Sequence, residues 1–451
     1  MTLDKGTLNV IQLSISFMLQ FFAYMSQEFI QEPLIESESR NGANIDKHAG
    51  YNSFAILYFF FTISCLIVTP LVEKLTAKWS IAFGLLAYIV FQIGFIHLNV
   101  YYLYITSAFL GVGGAFLWIA QGKYLTENCT GKTIERNTAM MWVIFKLSLL
   151  AGGVFLYFMF RHQTLSDVVE NRMIVYLCLI FASISTVAAI NIMLLPAPAY
   201  PPEKRQRETI AQTLKSTFKI MATMRMSLLA VLFVYAGFSR SFWIAIYPTC
   251  IKFTTRLGEN TTKLLALSGI ATGVGQTAAG VLFSIIGKHA RVVGKDIIVL
   301  FASVLHVAVF VLIYLHFPDE APLHPTESRG ILEPNVEISL ICSALLGFGD
   351  AIVQTQIYSY LVDGYSSESS HAFALFKFYS GASSTIAFYL SQFFTLPMHL
   401  ILYTICAIMS SISAIIAQRC YFYKFRHFYQ DKVKPDAIHI EISENGSVIK
   451  K

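Results

Sequence analysis

The chain has 451 residues, of which 55% are hydrophobic and only 13% are charged. Soluble globular proteins carry about 25% charged residues, so this composition excludes an ordinary soluble domain and is typical of a polytopic membrane protein. The formal net charge of +6 does not indicate nucleic-acid binding, because the basic residues lie at the ends of apolar runs. The seven cysteines are scattered without a CxxC pair, so neither a disulfide framework nor a metal site is expected.

Twelve apolar runs are long enough to cross a membrane, which takes about 20 mostly apolar residues. The first run is too long for a cleavable signal peptide and lacks a small-residue cleavage site, so it is interpreted as a spanning helix. In chain order the runs are Leu8–Ile30, Tyr51–Val72, Ser80–His97, Tyr101–Gly122, Ala139–Phe160, Met173–Leu195, Ser227–Cys250, Leu264–Gly287, Ile297–Phe317, Ile338–Val362, Ala372–Leu396 and His399–Gln418.

The runs form two sets of six, which predicts an all-α membrane protein built from two six-helix halves. The predicted units are an N-terminal bundle over residues 1–195, a linker over 196–226, a C-terminal bundle over 227–418 and a tail over 419–451. The prolines of Pro196–Pro202 end the sixth helix. Residues Glu208–Met226 carry an apolar stripe beside basic residues. That pattern fits an amphipathic helix on the inner membrane surface and a solvated linker equally well.

The distribution of Lys and Arg predicts that both termini are cytoplasmic. In this orientation 22 of these residues lie on the inner side, 8 on the outer side and three within spans, which accounts for all 33. The plasma membrane and an endolysosomal membrane fit equally well. Of the glycosylation sequons at Asn128, Asn260 and Asn445, only Asn260 faces the outside, so the chain is predicted to be a glycoprotein modified there.

A segment of the fourth span recurs in the tenth. Phe109–Thr126 matches Leu345–Val362 at an offset of 236 residues, so that Gly111 coincides with Gly347. A repeat of half the chain length indicates two copies of one unit.

The two copies differ at one informative position, where the tenth span has Asp350 and the fourth span has Gly114. A lone carboxylate in mid-span costs roughly 2.5–3.5 kcal/mol, so Asp350 should face a cavity or a partner. Gln354 and Ile357 follow at helical spacing on the same face. Asp350 is therefore predicted either to act in ligand binding or to serve as an internal salt-bridge residue.

The equivalent face of the fourth span carries Gly114, Trp118 and Gln121. We interpret the two faces as opposed walls of one central cavity. Because Asp350 is the only acid of these walls, the expected ligand is cationic or rich in hydrogen-bonding groups, and Trp118 would offer it an aromatic face. If a lysine neutralises Asp350, a neutral ligand is favoured instead.

The intramembrane bases supply candidate partners. Lys377 lies within about two helical turns of Asp350 in depth and is predicted to pair with it. Lys146 is its repeat equivalent, and it either acts in the site or extends to the headgroups. Arg240 lies mid-span, where a pair with Glu28 would join the two halves.

The remaining patterns point to packing rather than chemistry. Gly269, Gly273 and Thr277 recur every four residues in the eighth span, as expected of a close helix contact. The sequence carries no nucleophile–base constellation, HExxH or Walker pattern. An enzyme, a cofactor and a catalytic metal are therefore not expected.

Twelve spans in two six-span repeats resemble the major facilitator superfamily. Within it, Leu117–Thr126 (LW-x-x-QG-x-YLT), Gly347–Gln356 (GFGDA…QTQ) and Phe373–Phe378 (FALFKF) resemble the signatures of the uncoordinated-ninety-three-like family. The FPxxAP loop at Phe317–Pro322 is similar to the corresponding loop in the facilitator-like branch of that family. The superfamily's basic loop after span two is reduced here to the sequence between Val72 and Ser80.

The resemblance implies a cavity lined by spans one, four, seven and ten. It implies one of two functions. The first is transport of a small solute through the cavity. The second is an accessory role as a regulatory subunit of a potassium channel or a receptor. The expected partners are thus the lipid bilayer, a small solute and, under the second function, an ion channel.

Overall fold

The computed structural model describes residues 4–40, 44–130, 133–161, 171–200, 209–258, 260–365 and 369–432. Over these residues the chain is almost entirely helical, with a single isolated β-bridge between Thr254 and Thr326. The helices are α1 (Lys5–Arg40), α2 (Ala49–Leu75), α3 (Ala77–Ile93), α4 (Val100–Glu127), α5 (Ile134–Phe160), α6 (Asn171–Met193), α7 (Ile210–Met221), α8 (Met224–Ser241), α9 (Tyr247–Phe253), α10 (Thr261–Val293), α11 (Lys295–His316), α12 (Val336–Gly364), α13 (Ser369–Ser391) and α14 (Leu396–Lys432).

The predicted spans are present, and eleven helical segments of the described chain are long and apolar enough to cross a membrane. The eleventh predicted span, α13, falls outside that set because Lys377 and several serines lower its hydropathy. It lies between α2 and α8, where its polar residues face the protein interior.

The seventh span is helical from Met224 to Phe253, but its α-helix is interrupted by one π-helical turn. A π-helical turn at Phe242–Ile246 separates α8 from α9. Pro248 follows at the start of α9 and cannot donate to the carbonyl four residues earlier, so the helical ladder rearranges there. The break comes directly after Arg240 and Ser241.

The two halves repeat the same packing. In the first half α4 packs on α2 and α3, and α1 packs on α5 and α6. In the second half α12 packs on α10 and α11, and α8 packs on α13 and α14. The halves meet along two symmetric seams, α5 with α10 and α2 with α13. This arrangement confirms the predicted fold of two six-helix pseudo-repeats.

The repeated glycines have the same task in both halves. A Cβ on Gly111 would lie 2.3 Å from the backbone oxygen of Leu57 in α2. A Cβ on Gly347 would lie 2.3 Å from the backbone oxygen of Thr272 in α10. Glycine at these two sites therefore lets α4 and α12 approach their neighbours more closely than any side chain would allow.

Small residues also close the seam between the halves. A Cβ on Gly153 of α5 would meet Ile270 of α10 at 2.7 Å, and one on Gly273 of α10 would meet Leu150 at 3.1 Å. The glycine spacing in the eighth span thus serves packing between the halves. On the side of the loop that joins α1 and α2, the Tyr51 hydroxyl donates to the Pro322 carbonyl at 3.3 Å.

The linker contains a helix, α7, which begins at a capping box between Thr209 and Gln212. Its buried side chains are Thr213, Thr217 and Ile220, and Thr217 Oγ1 lies 3.0 Å from His371 Nδ1 of α13. The buried face of α7 is therefore mainly threonine, not the apolar stripe that the sequence emphasised.

Candidate functional site: the central cavity

A cavity of about 60 Å³ lies between the two halves, with room for a few water molecules. Its walls come from α1, α2, α3, α4, α8, α12 and α13. The lining residues are Phe21, Tyr24, Leu57, Tyr58, Phe61, Tyr88, Leu110, Gly114, Trp118, Ala236, Arg240, Gln354, Phe376, Lys377, Ser380, Gly381 and Ser384. They include aromatic, aliphatic, hydroxylic, amide and basic side chains, and none is an acid.

The cavity contains part of the predicted site. Gly114 and Trp118 from α4 face Gln354 from α12, as the two-wall prediction required, and Arg240 and Lys377 join them.

The other predicted residues lie behind the walls. Asp350 is 3% exposed and does not line the cavity, and Ile357 is fully buried among apolar side chains of the second half. Gln121 is also buried, and its amide donates to the Met141 sulfur at 3.0 Å.

Lys377 does not pair with Asp350. Its ammonium lies 5.1 Å from the centre of the Trp118 ring and 5.2 Å from that of Phe376, as cation–π contacts. Its electrostatic neighbours are Arg240, Lys146 and Cys65, none of them an acid. The predicted pair fails because similar depth along two helices does not bring side chains to the same face. The Trp118 ring is thus covered by the protein's own base rather than left open for a cationic ligand.

Among the bases, the strongest electrostatic neighbour of Asp350 is Lys146, and Arg240 is the second. The Lys146 ammonium donates to Gln276 Oε1 in α10 at 2.9 Å, across the seam between the halves. Lys146 therefore points inward and does not extend to the headgroups. The Oδ1 atom of Asp350 is buried without a hydrogen-bond partner among the described residues.

Arg240 and Glu28 are joined through Tyr58 rather than in a direct ion pair. Nε of Arg240 donates to the Tyr58 hydroxyl at 3.1 Å, and that hydroxyl donates to Glu28 Oε1 at 3.4 Å. Tyr24 also donates to Glu28 Oε1, at 3.2 Å. Glu28 itself is 1% exposed and lies behind these tyrosines. The predicted link between the first spans of the halves exists, with α2 supplying its middle member.

Glu28 begins a row of acids along α1. Glu32 follows one turn later, and its carboxylate accepts from the Tyr51 N–H at 2.7 Å and lies 3.2 Å from His48 Nδ1. Glu36 follows in turn and forms a salt bridge with Arg40. Each acid of this row therefore has a hydrogen-bonding or charged partner. Glu28 and Glu32 connect α1 with α2, whereas the partner of Glu36 lies in α1 itself.

The glycosylation sequons differ in how accessible their asparagines are. Asn128 is fully buried, accepts from Asn9 at 2.8 Å and donates to the Tyr124 carbonyl at 2.8 Å, which leaves no access for a glycan. Asn260 is partly exposed and accepts from the Lys263 N–H at 2.8 Å at the start of α10. Asn445 lies outside the described residues.

Sequence reasoning missed Tyr58 and Gln276. Tyr58 lies in span two and Gln276 in span eight, and neither span belongs to the four that were expected to line the cavity. The signal was nonetheless present, since a mid-span tyrosine or glutamine needs a polar partner in the membrane. Glu32 was visible as the next acid at helical spacing after Glu28.

Comparison with solved structures shows that the fold is similar to that of solved membrane transporters. The chain superposes on a variant of the nucleoside transporter NupG with a TM-score of 0.65, covering 91% of this chain and 99% of that one at 10% identity. It superposes on a variant of the peptide transporter POT in complex with alafosfalin with a TM-score of 0.63, covering 91% and 93%, again at 10% identity.

The family follows from the sequence comparisons. The profile of the family described as "Ion channel regulatory protein UNC-93" matches residues 41–415. The chain is 30% identical to "UNC93-like protein MFSD11" of Xenopus tropicalis, covering 91% of this chain and 95% of the relative. It is 25% identical to "Protein unc-93 homolog A" of Homo sapiens, covering 90% and 92%. This chain belongs to the UNC-93 family, and the resemblance seen in its motifs is confirmed.

Proposed function

We propose that the protein carries a small solute through its central cavity by exchange between conformations of the two halves. The observation that carries this proposal is a cavity of mixed polar and apolar lining at the pseudo-symmetry interface of a transporter fold, with charged side chains from the second repeat and aromatic ones from both. Binding at the interface of repeats, with the halves moving around the site, is how transporters of this architecture work.

The proposal is tested by filling the cavity from its neutral side. A Cβ on Gly114 would lie 3.4 Å from the Phe61 ring, so a leucine there projects into the cavity. Gly122 lies on the same helix with open space around it, so Gly122→Leu is the matched control. Purified protein is screened by thermal shift against nucleosides, dipeptides, amines, amides and carboxylates. The stabilising solute is then measured as uptake into proteoliposomes.

We expect at least one solute to stabilise the wild type and the control, and to be taken up by both. Gly114→Leu should remain folded and lose both responses. If no solute class stabilises the wild type, or if Gly114→Leu responds as the wild type does, the transport proposal fails.

The second function is regulation of an ion channel, and what favours it is the description of the UNC-93 family itself. In this role the protein acts through its outer helix surfaces, and the cavity is not needed. Whole-cell potassium currents would then change equally on expression of wild type and Gly114→Leu. A change that requires an open cavity would tie the current to the transport site instead.

We also propose that both termini are cytoplasmic, as the bias of Lys and Arg indicates. Glycosidase treatment should shift the electrophoretic mobility of the wild type but not of Asn260→Gln. A glycan that survives in Asn260→Gln and disappears in Asn445→Gln would reverse the orientation.

A further inference from the structure

The cavity carries an excess of positive charge at its wall. Both charged lining residues, Arg240 and Lys377, are bases. Only the Nε of Arg240 forms a hydrogen bond, so its two terminal amino groups donate to no acceptor among the described residues. The Lys377 ammonium likewise lies beside two aromatic rings, and no acid of the described residues is among its electrostatic neighbours. Cations inside a membrane protein are ordinarily paired, because an unpaired one is costly.

The neighbouring acids do not cancel this charge. Two carboxylic acids, Glu28 and Asp350, and three bases, Lys146, Arg240 and Lys377, interact around the cavity. Three bases and two acids leave one positive charge. Both acids already have basic neighbours, since Glu28 is linked to Arg240 through Tyr58 and Asp350 interacts electrostatically with Lys146 first and Arg240 second. Neither acid is an electrostatic neighbour of Lys377. The surplus therefore lies at Lys377, on the cavity wall.

We infer that the cavity binds a small monocarboxylate, with the carboxylate held between Arg240 and Lys377. The free amino groups of a guanidinium match a carboxylate in a planar two-point contact. One negative charge neutralises the surplus, whereas a dianion would overcompensate it. The apolar part of the ligand would pack on the ring of Phe61, beside the space left by Gly114. This inference rests on the transport proposal and names its substrate class.

The inference reverses the ligand charge that the sequence favoured. Asp350 pointed to a cation, but it lies behind the wall, and the bases occupy the wall. A cationic ligand would meet two like charges with no acid in direct reach.

The test compares ligands of equal shape and different charge on the purified wild-type protein. The carboxylates are acetate, propionate and benzoate. The matched probes are acetamide, propionamide and benzamide, which are neutral, and propylamine and benzylamine, which are cationic. Isothermal titration and thermal shift should detect binding of at least one carboxylate and weaker or no binding of its amide and amine. Since this comparison uses one protein, the folding of a variant does not affect it.

Variants then locate the carboxylate. Arg240→Gln and Lys377→Met should each raise the Kd of the bound carboxylate by about 10- to 100-fold, the loss expected for a charge-assisted hydrogen bond. Lys263→Met is the matched control, because Lys263 lies over the Tyr157 ring, away from the cavity lining. It should leave the Kd unchanged.

The outcomes separate the two proposals. If an amide or amine binds better than every carboxylate, the cavity is a solute site but the carboxylate inference is wrong. If a carboxylate binds with equal Kd in wild type, Arg240→Gln and Lys377→Met, the inference is also wrong, because the anion binds elsewhere. If no solute of any class binds, the transport proposal itself fails.

Discussion

Removing the hydroxyl of Tyr58 should weaken the contact between the two halves. This hydroxyl accepts from Arg240 Nε at 3.1 Å and donates to Glu28 Oε1 at 3.4 Å, so it connects α8 of the second half with α1 and α2 of the first. Tyr58→Phe keeps the ring, which stacks on Phe388 with centroids 5.4 Å apart. The substitution therefore tests the hydroxyl alone.

The magnitude follows from the two bonds. Hydrogen bonds to charged groups contribute about 1.5–3 kcal/mol in soluble proteins, while those inside membrane proteins average about 0.6 and reach about 1.7 kcal/mol. The 3.4 Å bond is near the limit of useful geometry and adds little. We therefore expect Tyr58→Phe to lower the free energy of unfolding by about 1–2 kcal/mol, mainly by leaving Arg240 Nε without an acceptor.

The assay is unfolding in mixed micelles of detergent and SDS, followed by tryptophan fluorescence. The matched control is Tyr51→Phe, whose fully buried hydroxyl also crosses between the halves but donates to a neutral carbonyl at 3.3 Å. It should cost about 0.5 kcal/mol. A double-mutant cycle of Tyr58→Phe with Arg240→Gln should show coupling of about 1 kcal/mol. Equal losses for the two tyrosines, or additive losses in the cycle, would refute the bridging role.

Further predictions concern helix packing and the buried acid. Gly347→Ala should destabilise the protein by about 1–3 kcal/mol, because its Cβ would overlap a backbone oxygen. Gly122→Ala should instead stabilise the protein by up to about 1 kcal/mol through helix propensity. Thermal denaturation in detergent measures both changes, and a stabilised Gly347→Ala would contradict the close contact. Asp350→Asn combined with Lys146→Met should cost less than the sum of the single losses, because each single variant leaves an uncompensated buried charge. In the same assay, the losses of Asp350→Asn and Lys377→Met should add in the double variant. If instead this pair is non-additive and the pair with Lys146→Met is additive, Asp350 pairs with Lys377 and the structural assignment is wrong.

Much of the fold is encoded in local sequence. An apolar run of sufficient length must form a helix in the bilayer, because no water is present to satisfy its backbone, so most spans could be placed from the sequence within a few residues. The first is an exception, because its helix continues past the predicted end at Ile30 to Arg40. The sequence repeat also predicted equivalent contacts in the two halves. Gly111 and Gly347 match in sequence and make the same close contact in their respective halves.

The sequence departed from the structure where a side chain's position depends on rotation about a helix axis and on neighbouring helices. α13 is less apolar than a simple span because it lies in the interior, and the α-helix of the seventh span is interrupted by a π-helical turn because Pro248 cannot continue its hydrogen-bond ladder.

By itself, then, the sequence determined where the long helices lie, the two-fold repeat, the wall residues Gly114, Trp118 and Gln354, and the family. Only the tertiary structure decided the charge of the cavity. Residue counting gives depth along a helix, and at that level Asp350 and Lys377 look like partners. Rotation of α12 and α13 turns the acid toward Lys146 and the lysine toward Trp118. The cavity wall is basic because facing side chains, and not depth alone, set which charges meet.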